Sequence, residues 1–362
     1  MDKLKVAVLF GGQSGEHEVS RVSATSIINN IDREKYEVYM VGITKNGQWY
    51  LYGGDVDKIP TGEWEKEAVP ALIGPSTMYK GIIAFKGGSY EFYPIDVVFP
   101  VLHGPNGEDG TVQGLLELLE MPYVGPNVLS SSLCMDKVFS KRIFLESGIP
   151  TPKFTVVYRK DVNDAEKYEY VKSEISEKIG YPCFVKPANM GSSVGITKVH
   201  NEGELFNALK IAAKYDRKII VEEGIDAREI ECSVLGNDNP EASVAGEIVP
   251  AHEFYDYDAK YFDEASKLFI PAPIPDAKME EIRDLAIKAY TALDVRGMAR
   301  VDFLMDKNTG KVYLNELNTI PGFTQISMYP KLWEASGKPY SKLIDELIQL
   351  ALSAYNEKCT NW

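Results

Sequence analysis

The chain has 362 residues, more than one hydrophobic core usually serves, so we expect two or three domains. Its net charge of −14 argues against a nucleic-acid-binding protein, which usually presents a basic face, and its 44% hydrophobic residues argue against disorder. Its four cysteines form no C-x-x-C pair, and no apolar stretch approaches the length of a membrane span. These features predict a soluble protein of the reducing cytoplasm that does not act at a membrane.

The N-terminal third begins with an apolar run at residues 6–10, which ends in two glycines and predicts a buried strand leading into a loop. Apolar residues then continue at helical spacing as far as Ile27. Further strands are predicted at residues 36–42 and 96–102. This alternation of strand and helix predicts that residues 1–126 form an α/β domain with a parallel sheet.

The middle of the chain predicts an α+β unit over residues 127–222. A helix should begin after Asp136 and end near Gly148, where G-I-P-T-P would break it. The elements predicted after it are strands at residues 154–158 and 183–186, a glycine-rich loop at 191–195, a strand at 196–199, a helix at 202–215 and a strand at 218–222.

The remaining residues, 223–362, predict a third unit. Residues 279–293 have the spacing of an amphipathic helix, which we expect Gly297 to close. Strands predicted at residues 299–305 and 311–317 flank D-K-N-T-G, a sequence typical of a hairpin turn. A last amphipathic helix should begin near Ser341.

This hairpin carries the most distinctive chemistry. Residues two apart on a strand share a face, as Arg300 and Asp302 do on one strand and Glu316 and Asn318 on the other. The short turn should place Asp302 near Glu316. Three oxygen donors beside a guanidinium suit Mg²⁺ bridging nucleotide phosphates. A surface salt bridge is the alternative; the polar segment 318–322 at the strand end favours a site.

A second candidate is the loop K-P-A-N-M-G-S-S-V-G, which runs from Lys186 to Gly195 between two strands. Its glycines would let backbone amides approach phosphates, and Ser192 and Ser193 add donors. The loop lacks the Gly-Lys-Ser/Thr sequence before a helix that defines a Walker loop. A flexible hairpin loop without a ligand is an equally good interpretation.

Two N-terminal loops and one later segment are less specific. The sequence G-G-Q-S-G-E lacks G-x-G-x-x-G, which disfavours a dinucleotide fold. Glu16 there could hold a substrate ammonium, although stabilising the helix start is the favoured interpretation. His103, in a polar loop after a buried strand, could orient a substrate or be a hydrogen-bonded turn histidine. The aromatic and acidic segment 253–261 is typical of functional loops.

Taken together, these segments resemble D-alanine–D-alanine ligases of the ATP-grasp superfamily, in order and from Gly11 to about Pro330. The motifs that carry the resemblance are GGQSGEHEVS, VLHGPNGEDGTVQG, CMDK, KPANMGSSVGITKV, VEEGIDAREIECSVLG, EFYDYDAKY, ARVDF and NELNTIPGFTQISMYP. The resemblance implies an α/β fold with a substrate-binding domain at 1–126, a central ATP-grasp subdomain at 127–222, and a C-terminal subdomain at 223–362 with a metal site and a mobile loop.

The resemblance also implies roles for individual residues at the nucleotide. The residues implied to bind ATP are Lys137, Lys186 and Lys260 at the phosphates, Ser192 in the glycine-rich loop, Glu222, Ile225 and Phe254 at the adenine, and Glu229 at the ribose. The residues implied to bind two Mg²⁺ or Mn²⁺ ions are Asp302, Glu316 and Asn318.

At the amino acids, Glu16 near His103 would hold the first D-alanine, and Arg300 with the Gly322 amide would stabilise the oxyanion. The carboxylate of the second D-alanine would bind at Ser327 and Met328. A hydrogen-bonded set is implied to close the mobile loop: Glu16, Ser192 and Tyr261.

The implied activity is ATP-dependent joining of two D-alanines through D-alanyl phosphate, for cell-wall precursor synthesis, by a homodimer. D-alanine–D-serine and D-alanine–D-lactate ligases are the alternatives within the family. In this family Lys260-Tyr261 is the pattern associated with a dipeptide rather than a depsipeptide, and resistance ligases commonly carry an arginine where this chain has Met328 after Ser327, so both pairs favour D-alanyl-D-alanine. A binding module without catalysis is disfavoured, because the metal acids and phosphate lysines are all present.

Overall fold

The computed structural model describes residues 2–249 and 267–359, which form three sheets flanked by helices. The first sheet contains β1 (Leu4–Gly11), β2 (Tyr36–Ile43), β3 (Trp49–Tyr52), β4 (Val69–Leu72), β5 (Gly81–Lys86), β6 (Ser89–Pro94) and β7 (Val97–Pro100). Their spatial order is β6-β5-β4-β3-β2-β1-β7. The contiguous apolar run of β1 is buried because this strand lies between two parallel neighbours, β2 and β7.

The predicted parallel sheet is in fact mixed. Strand β1 pairs in parallel with β2 on one side and with β7 on the other. The four pairs β2–β3, β3–β4, β4–β5 and β5–β6 are antiparallel. The connections from β2 to β3, from β4 to β5 and from β5 to β6 are short, which allows only antiparallel pairing, whereas β3 and β4 are joined by a longer segment that contains helical turns at Lys58–Thr61 and Glu63–Lys66. The strands that the sequence did not predict, β3 to β6, lie at residues 49–94, a stretch rich in turn and aromatic residues.

The helices up to the second sheet are α1 (His17–Asn30), α2 (Lys58–Thr61), a 3₁₀ helix at Glu63–Lys66, α3 (Thr111–Leu118), α4 (Val128–Met135) and α5 (Lys137–Glu146). Helix α1 buries Val19, Ser23 and Ile27 of the predicted face, but Val22, predicted with them, is 41% exposed because it lies to one side of that face. Helix α5 confirms the helix predicted after Asp136, whose carboxylate accepts hydrogen bonds from the amides of Val138 and Phe139.

The second sheet is antiparallel and follows the prediction closely. Its strands are β8 (Phe154–Tyr158), β9 (Cys183–Pro187), β10 (Thr197–Val199) and β11 (Lys218–Glu223), in the order β10-β9-β11-β8. Its helices are α6 (Arg159–Val162), α7 (Ala165–Lys178) and α8 (Glu202–Tyr215). Apolar residues of α8 and β11 form a core of their own beneath the sheet, so this unit buries enough surface to hold its strands in place.

The third sheet carries the predicted hairpin. Its strands are β12 (Ala227–Gly236), β13 (Glu241–Val249), β14 (Lys267–Phe269), β15 (Gly297–Asp306) and β16 (Val312–Asn318), in the order β14-β13-β12-β15-β16. The helices are α9 (Asp276–Ala292), α10 (Met328–Ala335) and α11 (Tyr340–Cys359). All neighbouring strands pair antiparallel, as the hairpin between β15 and β16 requires.

The expected role of Gly297 is wrong. Helix α9 ends at Ala292, and Asp294 takes the left-handed conformation (φ 52°) in the loop that follows. Gly297 instead begins β15 with φ 76°, and a Cβ there would lie 3.3 Å from the backbone of Gly125. A glycine is needed at this position because two backbones meet.

Packing crosses two of the expected domain boundaries. Leu343, Ile344 and Leu347 of α11 are buried in the core beneath the first sheet. Cys134 and Phe144, from α4 and α5, lie in the core of the third sheet. The division at residues 126 and 222 therefore stays a prediction, and the cores show that the first sheet is completed by the last helix.

The described cysteines agree with the expectation of free thiols: Cys134, Cys183 and Cys232 are buried and form no disulfide. Burial raises the pKa of each of these thiols. No helix within residues 2–249 or 267–359 combines the length and apolarity needed to span a bilayer.

Candidate functional site

A cleft of about 790 Å³ lies between the second and third sheets, within the size range of small-molecule sites. Residues from the facing sides of both sheets line it. Eight of the predicted site residues lie on its wall: Lys137, Lys186, Ser192, Glu222, Ile225, Glu229, Asp302 and Glu316. The structure thus brings the predicted nucleotide and metal residues together.

A buried ion cluster lies at one side of the cleft. Glu222 is 2% exposed, and its two carboxylate oxygens face Lys186 (Nζ 2.6 Å) and Lys141 (Nζ 3.0 Å). Burial opposes the charge of Glu222, but the two lysines outweigh it and hold the pKa of this carboxyl at about 2. Both carboxylate oxygens are therefore engaged by the protein itself.

The two lysines of this cluster respond differently to burial. Burial lowers the pKa of Lys141, against the attraction of Glu222. Burial also opposes the charge of Lys186, but Glu222 prevails and raises the pKa of this lysine. Lys186 is therefore held as a cation at the cleft, which is the form that a phosphate would attract.

Helix α5 places a third lysine at the cleft. The amino group of Lys137 donates to the carbonyl oxygen of Met190 at 2.9 Å and lies 3.1 Å from Glu316 Oε2. The helix starts here because Asp136 caps it, and the same carboxylate pairs with Lys218. The side chain of Lys137, at the start of this helix, thus contacts both the glycine-rich loop and the hairpin of the third sheet.

The predicted hairpin group is confirmed as a cluster. Asp302 lies directly opposite Glu316, and Arg300 directly opposite Asn318, so all four side chains share one face. Arg300 donates from Nε and Nη2 to the two oxygens of Asp302, each at 2.8 Å, and Asn318 Nδ2 donates to Asp302 Oδ2 at 2.8 Å. Arg300 is only 16% exposed on its side chain, so this is not the surface salt bridge of the alternative interpretation.

The donors of this cluster fit a hard cation. Among the described residues, no three His, Cys, Asp or Glu side chains are grouped to hold a metal. The hairpin instead offers two carboxylates, from Asp302 and Glu316, and the amide oxygen of Asn318. A few oxygen ligands completed by phosphate oxygens are what Mg²⁺ takes at nucleotide sites, so the residues present fit that ion.

Glu16, at the start of helix α1, contacts the glycine-rich loop. The Ser192 hydroxyl donates to Glu16 Oε1. Two glycines leave the space for this carboxylate, since a Cβ on Gly104 or Gly191 would come within 2.6 or 2.9 Å of Glu16 Oε2. The Glu16 side chain makes no capping hydrogen bond to helix α1, which disfavours the interpretation of a carboxylate that only stabilises the helix start.

The loop holding this contact has an unusual backbone. Ser192 and Ser193 both lie in the left-handed region, with φ of 50° and 59°. Residues other than glycine rarely adopt this conformation, and they do so mostly where the surroundings enforce it. The contact with Glu16 is one such constraint on the position of the loop.

His103 is buried, and both of its ring nitrogens are engaged. Nδ1 donates to the carbonyl oxygen of Ile320 at 2.9 Å, and Nε2 lies 3.1 Å from the Ser23 hydroxyl. Burial lowers the pKa of His103, which favours the neutral ring. This geometry favours the interpretation of a hydrogen-bonded structural histidine.

Glu108 completes a connection between the same two segments. Its carboxylate accepts from the amide of Gly104 at 2.7 Å and from the amide of Ile320 at 3.0 Å. Burial and the nearby charge of Glu16 raise the pKa of Glu108 to about 8, although the two amides oppose this. The backbone of Ile320, two residues before Gly322, is therefore held at both its carbonyl and its amide by residues that follow β7.

The residues expected at the second amino acid lie at the start of α10. The Ser327 hydroxyl accepts from the amide of Thr324 at 3.0 Å, and a Cβ on Gly322 would be 2.8 Å from it. The Met328 side chain is buried against Ile248 and Leu332. A carboxylate at this helix start would therefore meet the backbone amide of Met328 rather than its side chain.

Three predicted residues, Phe254, Lys260 and Tyr261, lie outside the described residues.

Three further residues of the site were not predicted from the sequence: Lys141, Glu231 and Glu108. Lys141 stands four residues after Lys137, one helical turn away, and Glu231 stands two residues after Glu229, on the same strand face. These spacings could have identified both residues. The role of Glu108 depends on contacts across 212 residues, which no local pattern reveals.

Two family models match the chain. The model described as D-ala D-ala ligase N-terminus matches residues 5–126, and the model described as D-ala D-ala ligase C-terminus matches residues 143–349. Among curated proteins, the D-alanine–D-alanine ligase of Thermoanaerobacter sp. (strain X514) is 74% identical, with both chains fully covered. That of Acetivibrio thermocellus is 53% identical, covering 98% of each chain.

Solved structures agree. The VanG D-Ala:D-Ser ligase from Enterococcus faecalis is 39% identical with a TM-score of 0.88, covering 97% of this chain and 100% of that one. The D-alanine-D-alanine ligase from Coxiella burnetii is 38% identical with a TM-score of 0.86, covering 99% and 97%. With matches of this extent in sequence and in structure, the chain belongs to the D-alanine–D-alanine ligase family.

Proposed function

We propose that this enzyme joins two D-alanine molecules, with ATP cleaved to ADP and phosphate, to make D-alanyl-D-alanine for peptidoglycan synthesis. The 74% identity to a curated ligase of that name, over the full chain, supports this activity. ATP and a divalent metal are used throughout this family. The residue roles below are part of the proposal.

The observation that carries the proposal is the hydrogen bond between Ser192 and Glu16. It joins a carboxylate of the first domain, suited to a substrate ammonium, to the glycine-rich loop, suited to phosphates. Lys137 and Lys186 line the adjoining cleft. An amino acid held at Glu16 would therefore present its carboxylate towards the phosphates of a bound nucleotide.

In the first step, a carboxylate oxygen of the first D-alanine attacks the γ-phosphorus of ATP, the bond to the β,γ-bridging oxygen breaks, and ADP leaves. The product, D-alanyl phosphate, has a good leaving group where the carboxylate had none. Lys137 and Lys186 would offset the negative charge on the phosphates. The divalent ions, two in our proposal and held by Asp302, Glu316 and Asn318, would add Lewis-acid stabilisation of that charge.

In the second step, the free amine of the second D-alanine attacks the acyl carbon, the bond from that carbon to the phosphate oxygen breaks after the tetrahedral intermediate, and the proton lost by the nitrogen leaves with the phosphate. Arg300 and the Gly322 amide would stabilise the oxyanion. Ser327 and the amide of Met328 would bind the carboxylate of the incoming molecule. Glu108 and His103 fix Ile320, two residues from Gly322, and so set the position of that amide.

The segment outside the described residues has a place in the proposal through the resemblance alone. Lys260 would reach the γ-phosphate, Phe254 would pack on the adenine, and Tyr261 would join Glu16 and Ser192 when the loop closes. Closure would exclude water, which otherwise hydrolyses the acyl phosphate. Ile225 and the backbone beside Glu222 would contact the adenine, and Glu229 the ribose.

A second candidate is D-alanyl-D-serine synthesis. It is considered because the VanG D-Ala:D-Ser ligase is similar to this chain with a TM-score of 0.88, against 0.86 for the D-alanine-D-alanine ligase from Coxiella burnetii. Both enzymes share this fold, so overall similarity does not discriminate between the two acceptors. The choice between D-alanine and D-serine as acceptor depends on the second amino-acid site, at Ser327 and Met328.

Product identification tests the proposal. The protein is incubated with ATP, Mg²⁺ and D-alanine, alone and with excess D-serine or D-lactate, and the products are identified by mass spectrometry. We expect D-alanyl-D-alanine to dominate in every mixture. Dominant D-alanyl-D-serine would favour the second candidate. Phosphate release with L-alanine but not with D-alanine would refute both.

We also propose that the enzyme is a cytoplasmic homodimer, as the resemblance implies. Light scattering coupled to size exclusion should give twice the chain mass of 40.4 kDa. A single-chain mass at micromolar concentration would contradict the dimer. Fractionation of cells that produce the protein would test its location.

A further inference from the structure

Three acidic residues lie in a row across the third sheet. Glu231 on β12 is directly opposite Asp302 on β15, and Asp302 is directly opposite Glu316 on β16. Residues in direct register share a face, and like charges placed this way destabilise a sheet. The row therefore depends on cations between its members. Arg300 provides one between Glu231 and Asp302, and Lys137 provides another at Glu316.

Two of these acids hold the same guanidinium. Arg300 Nε lies 2.8 Å from Asp302 Oδ1 and 3.0 Å from Glu231 Oε2. Asp302 binds the arginine with both oxygens and also accepts from Asn318. These three bonds leave Asp302 about one acceptor site, on Oδ1, so it turns a full carboxylate to a metal ion only by releasing part of its contact with Arg300.

That release needs a substitute. The side chain of Arg300 is 16% exposed and that of Glu231 is 8% exposed, so neither charge is well solvated. A largely buried guanidinium that loses its carboxylate partner carries a large desolvation cost. With Glu231 in place, Arg300 keeps one carboxylate when Asp302 turns away, and the charge of Glu231 likewise stays paired.

We propose that Glu231 is a positioning residue: it holds Arg300 in the site while Asp302 turns from the arginine to a divalent cation. The inference rests on the proposed function, in which Asp302 binds the metal. Glu231 would touch neither substrate nor metal. It would let one aspartate exchange partners while the arginine stays directed at the position of the reacting carbonyl.

The test is a double-mutant cycle on metal binding, measured in the absence of turnover. Mn²⁺ is titrated into the protein with saturating ADP, and free Mn²⁺ is followed by electron paramagnetic resonance. Glu231→Gln removes one of the two carboxylates that contact Arg300 among the described residues, so Arg300 should hold Asp302 more tightly and Mn²⁺ should bind about tenfold more weakly. In an Arg300→Met background no arginine competes, so adding Glu231→Gln should change Mn²⁺ affinity less than twofold.

The cycle separates this proposal from simple loss of negative charge. If Glu231→Gln weakens Mn²⁺ binding equally in both backgrounds, its effect is electrostatic and the positioning role is wrong. If the wild-type protein binds no Mn²⁺ with ADP, the metal site of the proposed function fails instead. Thermal unfolding of each variant checks folding. If Glu231→Gln does not fold, Glu231→Asp, which keeps the charge, is measured in the same two backgrounds. It should lower Mn²⁺ affinity by less than Glu231→Gln would, and this loss should also disappear in the Arg300→Met background.

Discussion

At the scale of single residues, the buried charges of the cleft have the largest energetic consequences. Two lysines share the carboxylate of Glu222, and all three groups are nearly or fully removed from water. Buried cations are stable only beside an anion that offsets their charge, and here one carboxylate serves two lysines. Glu222 is the single anion of the three, so its removal leaves two buried cations facing each other.

Glu222→Gln should therefore lower the free energy of unfolding by about 3 kcal/mol at neutral pH. The pKa of Glu222 is lowered to about 2 in the folded protein, so its contribution is complete above the ordinary value of 4.5 and is lost as the pH falls towards 2. Urea unfolding at several pH values checks this. The gap between wild type and variant should close from pH 4.5 downwards.

Lys141→Met is the companion variant. It keeps Lys186 beside Glu222, so the free energy of unfolding of this variant should still fall in part as the pH drops from 4.5 towards 2. A gap between wild type and Glu222→Gln that stays constant down to pH 2 would contradict the assignment.

The contact between Ser192 and Glu16 gives a second prediction. Ser192→Ala removes the hydroxyl that reaches Glu16 but leaves the loop backbone able to keep its shape. We expect kcat/KM for D-alanine to fall by about 10–100-fold, the range typical of a lost hydrogen bond to a charged group. Steady-state kinetics measure it.

Ser193→Ala is the matched control for Ser192→Ala, because Ser193 has the same left-handed backbone. It should lower kcat/KM several-fold less. Equal losses in the two variants would mean that the loop conformation matters and the Glu16 contact does not.

At the scale of elements, helix α5 connects the cleft to the core. It presents Lys137 and Lys141 one turn apart, and its start is fixed by the Asp136 carboxylate. That carboxylate caps two backbone amides and also pairs with Lys218. A shift of this helix start would move both lysines relative to the glycine-rich loop.

Two substitutions separate these functions of Asp136. Asp136→Asn keeps an oxygen for the cap but loses the ion pair, whereas Asp136→Ala loses both. We expect the alanine variant to be less stable than the asparagine variant by about 1 kcal/mol, the usual contribution of a cap. Both should raise KM for ATP. Identical urea midpoints would show that the cap contributes nothing.

The elements also show what a sequence can reveal. The hairpin of β15 and β16 was predictable because its turn sequence and alternating residues are local. Strands β3 to β6 were not, since they lie in a stretch rich in turn and aromatic residues and β6 is largely exposed. In the site, the donors on the hairpin followed from strand geometry. The hydrogen bond that Ser192 donates to Glu16 spans 176 residues and depends on how separate sheets pack, so only the family resemblance implied it.

At the scale of the whole molecule, the last helix belongs to the first core. Leu343, Ile344 and Leu347 of α11 are fully buried there, and Asp345 of the same helix pairs with Lys35. The ends of the chain therefore stabilise one unit. A loss of packing on α11 should be felt in the first sheet.

Leu347→Ala tests this. It should lower the free energy of unfolding by about 2–5 kcal/mol, as cavities in well-packed cores do. Amide hydrogen exchange should become faster in β1, far away in sequence. Ser353→Ala, at an exposed position of the same helix, serves as the control and should change stability by less than about 0.5 kcal/mol. Unchanged exchange in β1 would contradict the shared core.

This closing of the core by α11 has a consequence for synthesis on the ribosome. At roughly 5–20 residues per second, the roughly 240 residues from the end of β7 at Pro100 to the start of α11 at Tyr340 take roughly 10–50 s to make. The first sheet is made before this interval, but the apolar surface that α11 covers stays open until α11 has also emerged. The nascent chain must therefore carry an uncovered first sheet through this interval, and chaperones can bind it there.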